Sequence, residues 1–161
     1  MSDQARIITV CDSLATYLNG KQAQAQTPPA PAINLFAPFT FVAYRDYAPI
    51  FQLEKMGPLT VVVCPRGKTT TMYTKSTAMQ DDGVDIGILC KPANLDISSP
   101  KPILDPLMLL VQQIHDVVAF EDFSGASWIK TESAPLYSAE HLREWKQFTS
   151  VLRLTLKEGL N

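Results

Sequence analysis

The sequence predicts an α+β fold in which an antiparallel sheet of about five strands carries two α-helices on one face. Residues 59–91 contain two strand-like segments joined by a polar stretch, which is typical of a long hairpin. Residues 3–19 and 105–120 have the apolar spacing of amphipathic helices, and residues 147–157 alternate as a half-buried strand does. Two helices on one face bury both apolar stripes in the order α-β-β-β-α-β-β. We therefore expect a single domain over residues 1–161.

The first predicted helix has one apolar stripe, formed by Ile7, Val10, Cys11, Leu14 and Leu18. Ser2 or Asp3 is expected to cap its N-terminus, and Gly20 is expected to follow its last turn in a left-handed conformation. Residues 21–38 alternate Gln with Ala and then contain several prolines, which favours an extended connector within the same domain. The aromatic and β-branched residues 39–47 are predicted to form the first strand.

The hairpin consists of a β-branched strand that starts at Leu59 and a second strand that ends at Lys91. In the second strand the apolar side chains alternate with other residues, and they are Val84, Ile86, Ile88 and Cys90. Residues 66–76 between the strands are polar and threonine-rich, without an apolar run that would pack into a core. We therefore predict an arm that projects from the domain. Residues 92–104, which follow, are predicted to be a loop.

The second predicted helix has Asp105 as its N-cap and Pro106 at its first position, where a missing N–H costs nothing. Its apolar stripe consists of Leu107, Leu110, Val111, Ile114, Val117 and Val118. Leu109 lies off this stripe, where it is available to a partner subunit. Residues 127–132 are predicted to form a short strand, and residues 134–142 a structured loop with one helical turn.

Composition excludes several classes of protein. The 161 residues carry a formal net charge of -2 and 19% charged residues, which is ordinary for a globular protein and unlike the basic footprint of a nucleic-acid-binding protein. No apolar run approaches the ~20 residues that cross a bilayer, and the N-terminal segment lacks the apolar core of a signal peptide. An odd number of cysteines without a secretory signal indicates reduced thiols in a cytosolic setting.

Residues with catalytic or ligand-binding chemistry do not form a recognisable pattern. The run from Arg66 to Thr70 is similar to the end of a Walker A motif, but the upstream glycine is missing. Cys64, Cys90 and His115 lack the spacing of a zinc site, and a Cys–His nucleophilic site is kept only as a minor alternative. One acidic cluster is interpreted as a solvated strand start in preference to a cation site, and it contains Asp81, Asp82 and Asp85. We therefore predict no catalytic residue, metal or cofactor.

The C-terminal third of the chain resembles a group of tailed-phage and prophage proteins. In that group a strand leads through a Glu-x-x-Pro-x-Tyr loop into a final strand that begins Phe-Thr-Ser, and here these are residues 132–137 and 148–150. The middle of the chain is similar through two strands and a helix, at residues 61–67, 85–91 and 107–116. The resemblance spans most of residues 40–157 as many weak matches.

This group resembles the family of phage tail-terminator and tail-completion proteins, typified by the lambda tail terminator. The resemblance implies an α+β fold and a hexameric ring that caps the tail tube and joins it to the head or neck of the virion. It implies no catalysis and no cofactor. The implied partners are the tail-tube protein and a head-closure or neck protein, while DNA passes through the lumen without specific binding. The alternative is another head–tail connector on a similar fold.

A ring subunit reaches its neighbours through edge strands and projecting hairpins, and the arm is suited to this role. The candidate interface residues are Arg66, Lys68, Met72, Tyr73, Lys75 and Met79 on the hairpin, and Leu109 on the second helix. Methionine and aromatic side chains supply the adaptable apolar contacts that such interfaces use. The alternative interpretation of the hairpin is a mobile, solvated loop of a monomer.

Overall fold

The part of the chain that the structure describes contains three helices and six strands. The structure is a computed structural model, and it describes residues 5–22, 34–47, 59–93, 95–133 and 135–159. In chain order the elements are α1 (Arg6–Lys21), β1 (Ala43–Arg45), β2 (Thr60–Thr74), β3 (Thr77–Cys90), α2 (Lys101–Val118), β4 (Asp122–Phe123), β5 (Ala126–Glu132), α3 (Ala139–Trp145) and β6 (Phe148–Glu158).

The described strands form one mixed sheet in the order β1-β2-β3-β6-β5-β4. In this sheet β1 runs parallel to β2, and the other neighbouring pairs are antiparallel. The predicted α+β class is confirmed, but the finer prediction of an antiparallel sheet of five strands is wrong. Side-chain alternation indicates which residues form a strand, but it does not fix the direction of the neighbouring strand.

The core lies between one face of the sheet and the two longer helices. Buried side chains of α1 and α2 belong to the same apolar cluster as alternate residues of the central strands, including Val61, Val63, Val84, Ile86, Leu152 and Leu154. The Tyr17 hydroxyl donates a hydrogen bond to the Val117 carbonyl at 2.7 Å and so ties α1 to α2. On the opposite face Val62, Cys64 and Leu89 form a small separate cluster. The predicted placement of two helices on one face is therefore observed.

The helix ends differ from their predicted positions. Gly20 lies inside α1, which ends at Lys21, so the predicted left-handed stop at Gly20 is wrong; the proposed caps Ser2 and Asp3 lie outside the described residues. α2 begins at Lys101, a turn before the predicted start, and Pro106 lies inside it. Pro102 permits the earlier start because a proline in the first turn lacks only an N–H that has no partner there. The predicted loop at residues 92–104 is correspondingly shorter.

The predicted strands are present with shifted ends. β5 and β6 match the predicted segments closely, and the inward residues of β6 are buried as expected. The first predicted strand, residues 39–47, is reduced to Ala43–Arg45, because only these residues pair with β2. β4 lies where no strand is predicted, and the helical turn expected within residues 134–142 is α3. Most of the predicted connector at residues 21–38 lies outside the described residues.

Gly87 shows how closely the second face is packed. It pairs with Val62 across the β2–β3 ladder, and a Cβ added to it would lie 3.0 Å from Val62 Cγ1. Val62 is buried, so it has little room to move. We expect Gly87→Ala to lower the free energy of unfolding by about 1 kcal/mol in urea denaturation. Gly67→Ala is the control, because no atom of the described residues lies within 4 Å of its added Cβ, and it should change stability by less than about 0.5 kcal/mol. Equal effects of the two substitutions would contradict this packing argument.

Candidate functional site

The outer part of the β2–β3 hairpin, residues 66–80, leaves the body of the domain, and we call it the arm. β1 pairs with β2 only as far as Val63, and β6 pairs with β3 only from Asp81 onward. The arm strands are therefore paired only with each other among the described residues, and one edge of β2 is open along the arm. Residues 66–76 are all exposed. A projecting hairpin is thus present, but it differs in detail from the predicted one.

The arm is a two-stranded ribbon with a register shift between Met72 and Thr74, although residues 66–76 are predicted above to be a polar crossing between strands. Both strands continue to a turn at Lys75 and Ser76, with Thr74 paired to Thr77. The Ser76 N–H donates to the Thr74 hydroxyl oxygen at 3.3 Å within this turn. Threonine is β-branched and favours strands without needing a core, which explains why the ladder continues beyond the last buried residue. The threonine content therefore indicates a strand and not a loop.

A bulge fastens the arm to the open face of the sheet. The register shifts between Pro65 and Gly67, which leaves Arg66 as the extra residue. Arg66 Nε donates to Asp85 Oδ1 at 2.8 Å, and Arg66 Nη2 donates to the Leu154 carbonyl at 3.0 Å. The guanidinium crosses Gly83, where an added Cβ would lie 3.0 Å from Arg66 Cζ. One side chain thus connects β2, β3 and β6 at the place where the arm joins the domain, which we call the root of the arm.

An ionic cluster of two buried carboxyl groups and two partly exposed cations fastens the arm on the helix-covered face. Lys68 Nζ lies 2.7 Å from Glu158 Oε1 and 4.0 Å from Asp82 Oδ1. Arg6 Nε, from α1, lies 3.8 Å from Glu158 Oε2. Asp82 is fully buried, and neither of its carboxylate oxygens accepts a hydrogen bond from a described residue. The cluster joins both strands of the arm to β6 and α1.

The two carboxyl groups of this cluster titrate differently. Burial, followed by the hydrogen bond and negative charge of Glu158, raises the pKa of Asp82 to about 6. Burial also acts to raise the pKa of Glu158, but hydrogen bonds from Lys68 and Asp82 and the charges of Lys68 and Arg6 lower it below its ordinary value. A proton on Asp82 lets that carboxyl donate to Glu158, which satisfies one buried oxygen. The carboxyl groups at the root of the arm therefore form the most hydrogen bonds when Asp82 is protonated.

The structure separates the candidate interface residues into three groups. Arg66 and Lys68 are held at the root of the arm by ion pairs within the same chain. The remaining candidates on the arm lie further out, with Met72 77% exposed, Tyr73 66% exposed, Lys75 in the turn, and Met79 half-buried on β3. Leu109 is 55% exposed, but it lies on α2 and not on the arm.

Three residues of the root are not among the site residues that the sequence predicts. Asp82 was interpreted as part of a solvated strand start, and this is wrong because its side chain is fully buried. The alternation of β3 carried the signal, since Asp82 occupies the same face as Val84 and Ile86. Glu158 likewise continues the inward face of β6. No sequence pattern brings Arg6 to this cluster, because it comes from a distant helix.

The cysteines that would supply a nucleophile lie in the interior of the domain, whereas His115 is partly exposed. All three cysteines are buried thiols. Burial raises the pKa of Cys11 to about 12 and the pKa values of Cys64 and Cys90 to about 11. His115 lies 3.5 Å from Asp116 on α2. No group of three or more potential ligands among the described residues is able to hold a metal ion.

Thiol labelling tests this interior placement. A thiol with a pKa of about 11 carries roughly 100-fold less thiolate at pH 8 than an ordinary cysteine, because the fraction of thiolate falls tenfold per pKa unit. We expect native Cys11, Cys64 and Cys90 to react with a disulfide reagent at least that much more slowly than the same chain in denaturant. Mass spectrometry of the labelled chain identifies the site. Rapid labelling of one native cysteine would favour the nucleophile alternative.

Comparison with known proteins does not assign the chain to a family. No protein-family model matches it, and the search of curated proteins finds no significant relative. Within the described residues, no helix is both long and apolar enough to cross a membrane. The candidate function therefore depends on the geometry of the arm and on the resemblance described above.

Proposed function

We propose that this protein is a structural subunit of a tailed-phage virion that forms a ring at the end of the tail tube, as a tail terminator does. The observation that carries this proposal is the arm, an open ribbon that leaves the domain and is fastened on both faces of the sheet. A solvated loop needs no such root. An element that holds a neighbouring subunit in position does need to be fastened to its own domain in this way.

The outer arm has the chemistry of an intersubunit contact. The open edge of β2 offers unpaired backbone donors and acceptors, which a strand or loop of a neighbouring subunit is able to pair with. Met72 and Tyr73 supply large exposed side chains of the kind enriched in interfaces. Arg66 and Lys68 serve this function indirectly, since their own ion pairs hold the arm in place.

The arm and the surface that receives it are different parts of the subunit. Such a heterologous contact generates a closed ring when successive rotations close. Six subunits is the number that the family resemblance suggests. The partners in this proposal are further copies of the chain, the tail-tube protein and a head-closure or neck protein, and no catalytic step is involved. A net charge of -2 also suits a lumen through which DNA passes, because basic contacts to phosphate would retain it.

Imaging of the purified protein tests the proposal. Negative-stain electron microscopy and native mass spectrometry should show rings, with isolated tail tubes added where the subunit alone stays monomeric. Labelled subunits should then be found at one end of the tube. A monomer that never joins tubes would contradict the proposal. Labels found in the neck and not at the tube end would assign the protein to a head-closure adaptor on a similar fold.

A further inference from the structure

A second feature lies away from the arm, in a cleft of about 240 Å³ between β6 and the segment that leads into α3. Its walls are apolar at Pro135, Tyr137 and Val151, and its polar groups include Arg153 and His141. This volume is below the range of roughly 300–1,000 Å³ that holds a drug-sized ligand. A cleft of this volume accommodates a single side chain.

Arg153 is a cation whose neighbouring acids are already paired. It lies in β6 opposite Asp85 of β3 and Glu132 of β5. Asp85 accepts a hydrogen bond from Arg66 at 2.8 Å, and Glu132 lies 3.3 Å from Lys130 Nζ. Within the described residues Arg153 forms no ion pair of its own. Its guanidinium is left as the charged group of the cleft.

A buried hydrogen-bond chain fixes the second polar group. Gln147 Nε2 donates to the Thr149 hydroxyl oxygen at 3.1 Å, and that oxygen lies 3.0 Å from His141 Nδ1. The Thr149 hydroxyl and His141 Nδ1 therefore share one hydrogen bond, and in the tautomer in which the hydroxyl donates, the imidazole carries a proton on Nε2. The ring also stacks on Trp145 at a centroid distance of 4.5 Å. Gln147 and Thr149 are buried, so the imidazole is held in position on its Nδ1 side by buried groups.

We propose that this cleft binds an acidic side chain carried by an extended peptide segment of a partner protein. The planar guanidinium of Arg153 matches a carboxylate through two parallel hydrogen bonds, and His141 Nε2–H supplies a further donor. Tyr137 and Pro135 form an apolar wall against which the methylene groups of a glutamate pack. The inference does not depend on the ring proposal, because none of its residues belongs to the arm.

Nuclear magnetic resonance titration of the whole protein tests this site. The probes are the blocked pentapeptide acetyl-Gly-Pro-Glu-Pro-Gly-amide, its Gln analogue, and acetate. The Glu peptide should shift the His141 ring signals and the amide signals of residues 136–141 saturably, and the Gln peptide should bind at least about tenfold more weakly. Acetate should shift the same signals with lower affinity than the Glu peptide, because it lacks the contacts to the apolar wall.

Two variants locate the binding charge. Arg153→Gln should weaken the Glu peptide by about tenfold or more, and Arg153→Lys should retain part of the affinity. Arg143→Gln is the matched control, because Arg143 is an exposed arginine of α3 that does not line the cleft. The proposal is overturned by equal binding of the two peptides, by full affinity in Arg153→Gln, or by no shift with either peptide or acetate. Acetate binding as tight as that of the Glu peptide would overturn the peptide as the source of the carboxylate.

Discussion

Replacing residues 70–80 with Asn-Gly is expected to leave a folded subunit that no longer forms rings. Thr69 pairs directly with Asp81, so a two-residue turn joins the strands at this point without changing the register. The root residues Arg66 and Lys68 keep their ion pairs with Asp85 and Glu158. The deleted residues are mostly exposed and contribute no side chain to the core. Assembly should therefore be lost while thermal stability changes little.

Circular dichroism establishes that the shortened subunit is folded, and negative-stain images and native mass spectrometry establish its assembly state. A second variant, Met72→Ser with Tyr73→Ser, keeps the whole backbone of the arm and removes its two most exposed apolar side chains. It should weaken ring formation without abolishing the ribbon. It also keeps the proposal testable if the shortened chain fails to fold. Ring formation at wild-type levels by both variants would show that the arm is not an intersubunit contact.

The second large effect is a dependence of stability on pH, which we expect Asp82 to cause. Its carboxyl has a pKa of about 6 in the folded state against an ordinary value of 3.8. Because the folded-state pKa is raised, the stabilising contribution of the protonated form is complete below about pH 4 and is lost as the pH rises through about 6. Above that pH the fold contains a buried carboxylate to which no described residue donates a hydrogen bond, with Lys68 Nζ 4.0 Å away. The difference between the two pKa values corresponds to a change of at most about 3 kcal/mol in the free energy of unfolding, at 1.36 kcal/mol per pKa unit.

Asp82→Asn removes this ionisation and keeps an N–H donor for Glu158. We expect it to raise the free energy of unfolding at pH 8 by about 2 kcal/mol, with the gain shrinking as the pH falls from 7 to 4. Chemical denaturation across this pH range measures the effect. Asp81→Asn is the control, because Asp81 is a neighbouring acid that lines a cleft on the opposite face of the sheet. A stability gain that is independent of pH, or equal in the control, would contradict the assigned titration.

The extent of sequence-based prediction differed between local and long-range features. The stripe of α2 and the alternation of β6 were predicted nearly residue by residue, because burial on one face imposes a period that a single segment displays. The start of α2 was misplaced because Asp105 and Pro106 form a good capping pair that the fold does not use. The parallel direction of β1 was not predicted, since it depends on pairing with a distant strand.

The candidate site divides in the same way. The projecting hairpin that carries Met72 and Tyr73 was predicted from the lack of an apolar run between two strands. Its root was not predicted, because Arg6 and Glu158 meet the arm only after α1 and β6 have taken their places. A charged residue in an inward-facing position of a strand, such as Asp82, was the available sign that such a root exists.

The place of β6 in the sheet has a consequence for the order in which the chain folds. Of the described strands it is the last in sequence, yet it lies between β3 and β5 and is the partner of both. The β2–β3 and β4–β5 hairpins join neighbouring segments and form from local contacts, whereas β6 pairs with β3 across α2, β4, β5 and α3. Such non-local pairing is slow, because chain entropy is lost before the contacts form. We therefore expect the pairing of β6 to limit the folding rate. Until β6 pairs, a nascent subunit exposes the unpaired edges of β3 and β5, which are prone to aggregation.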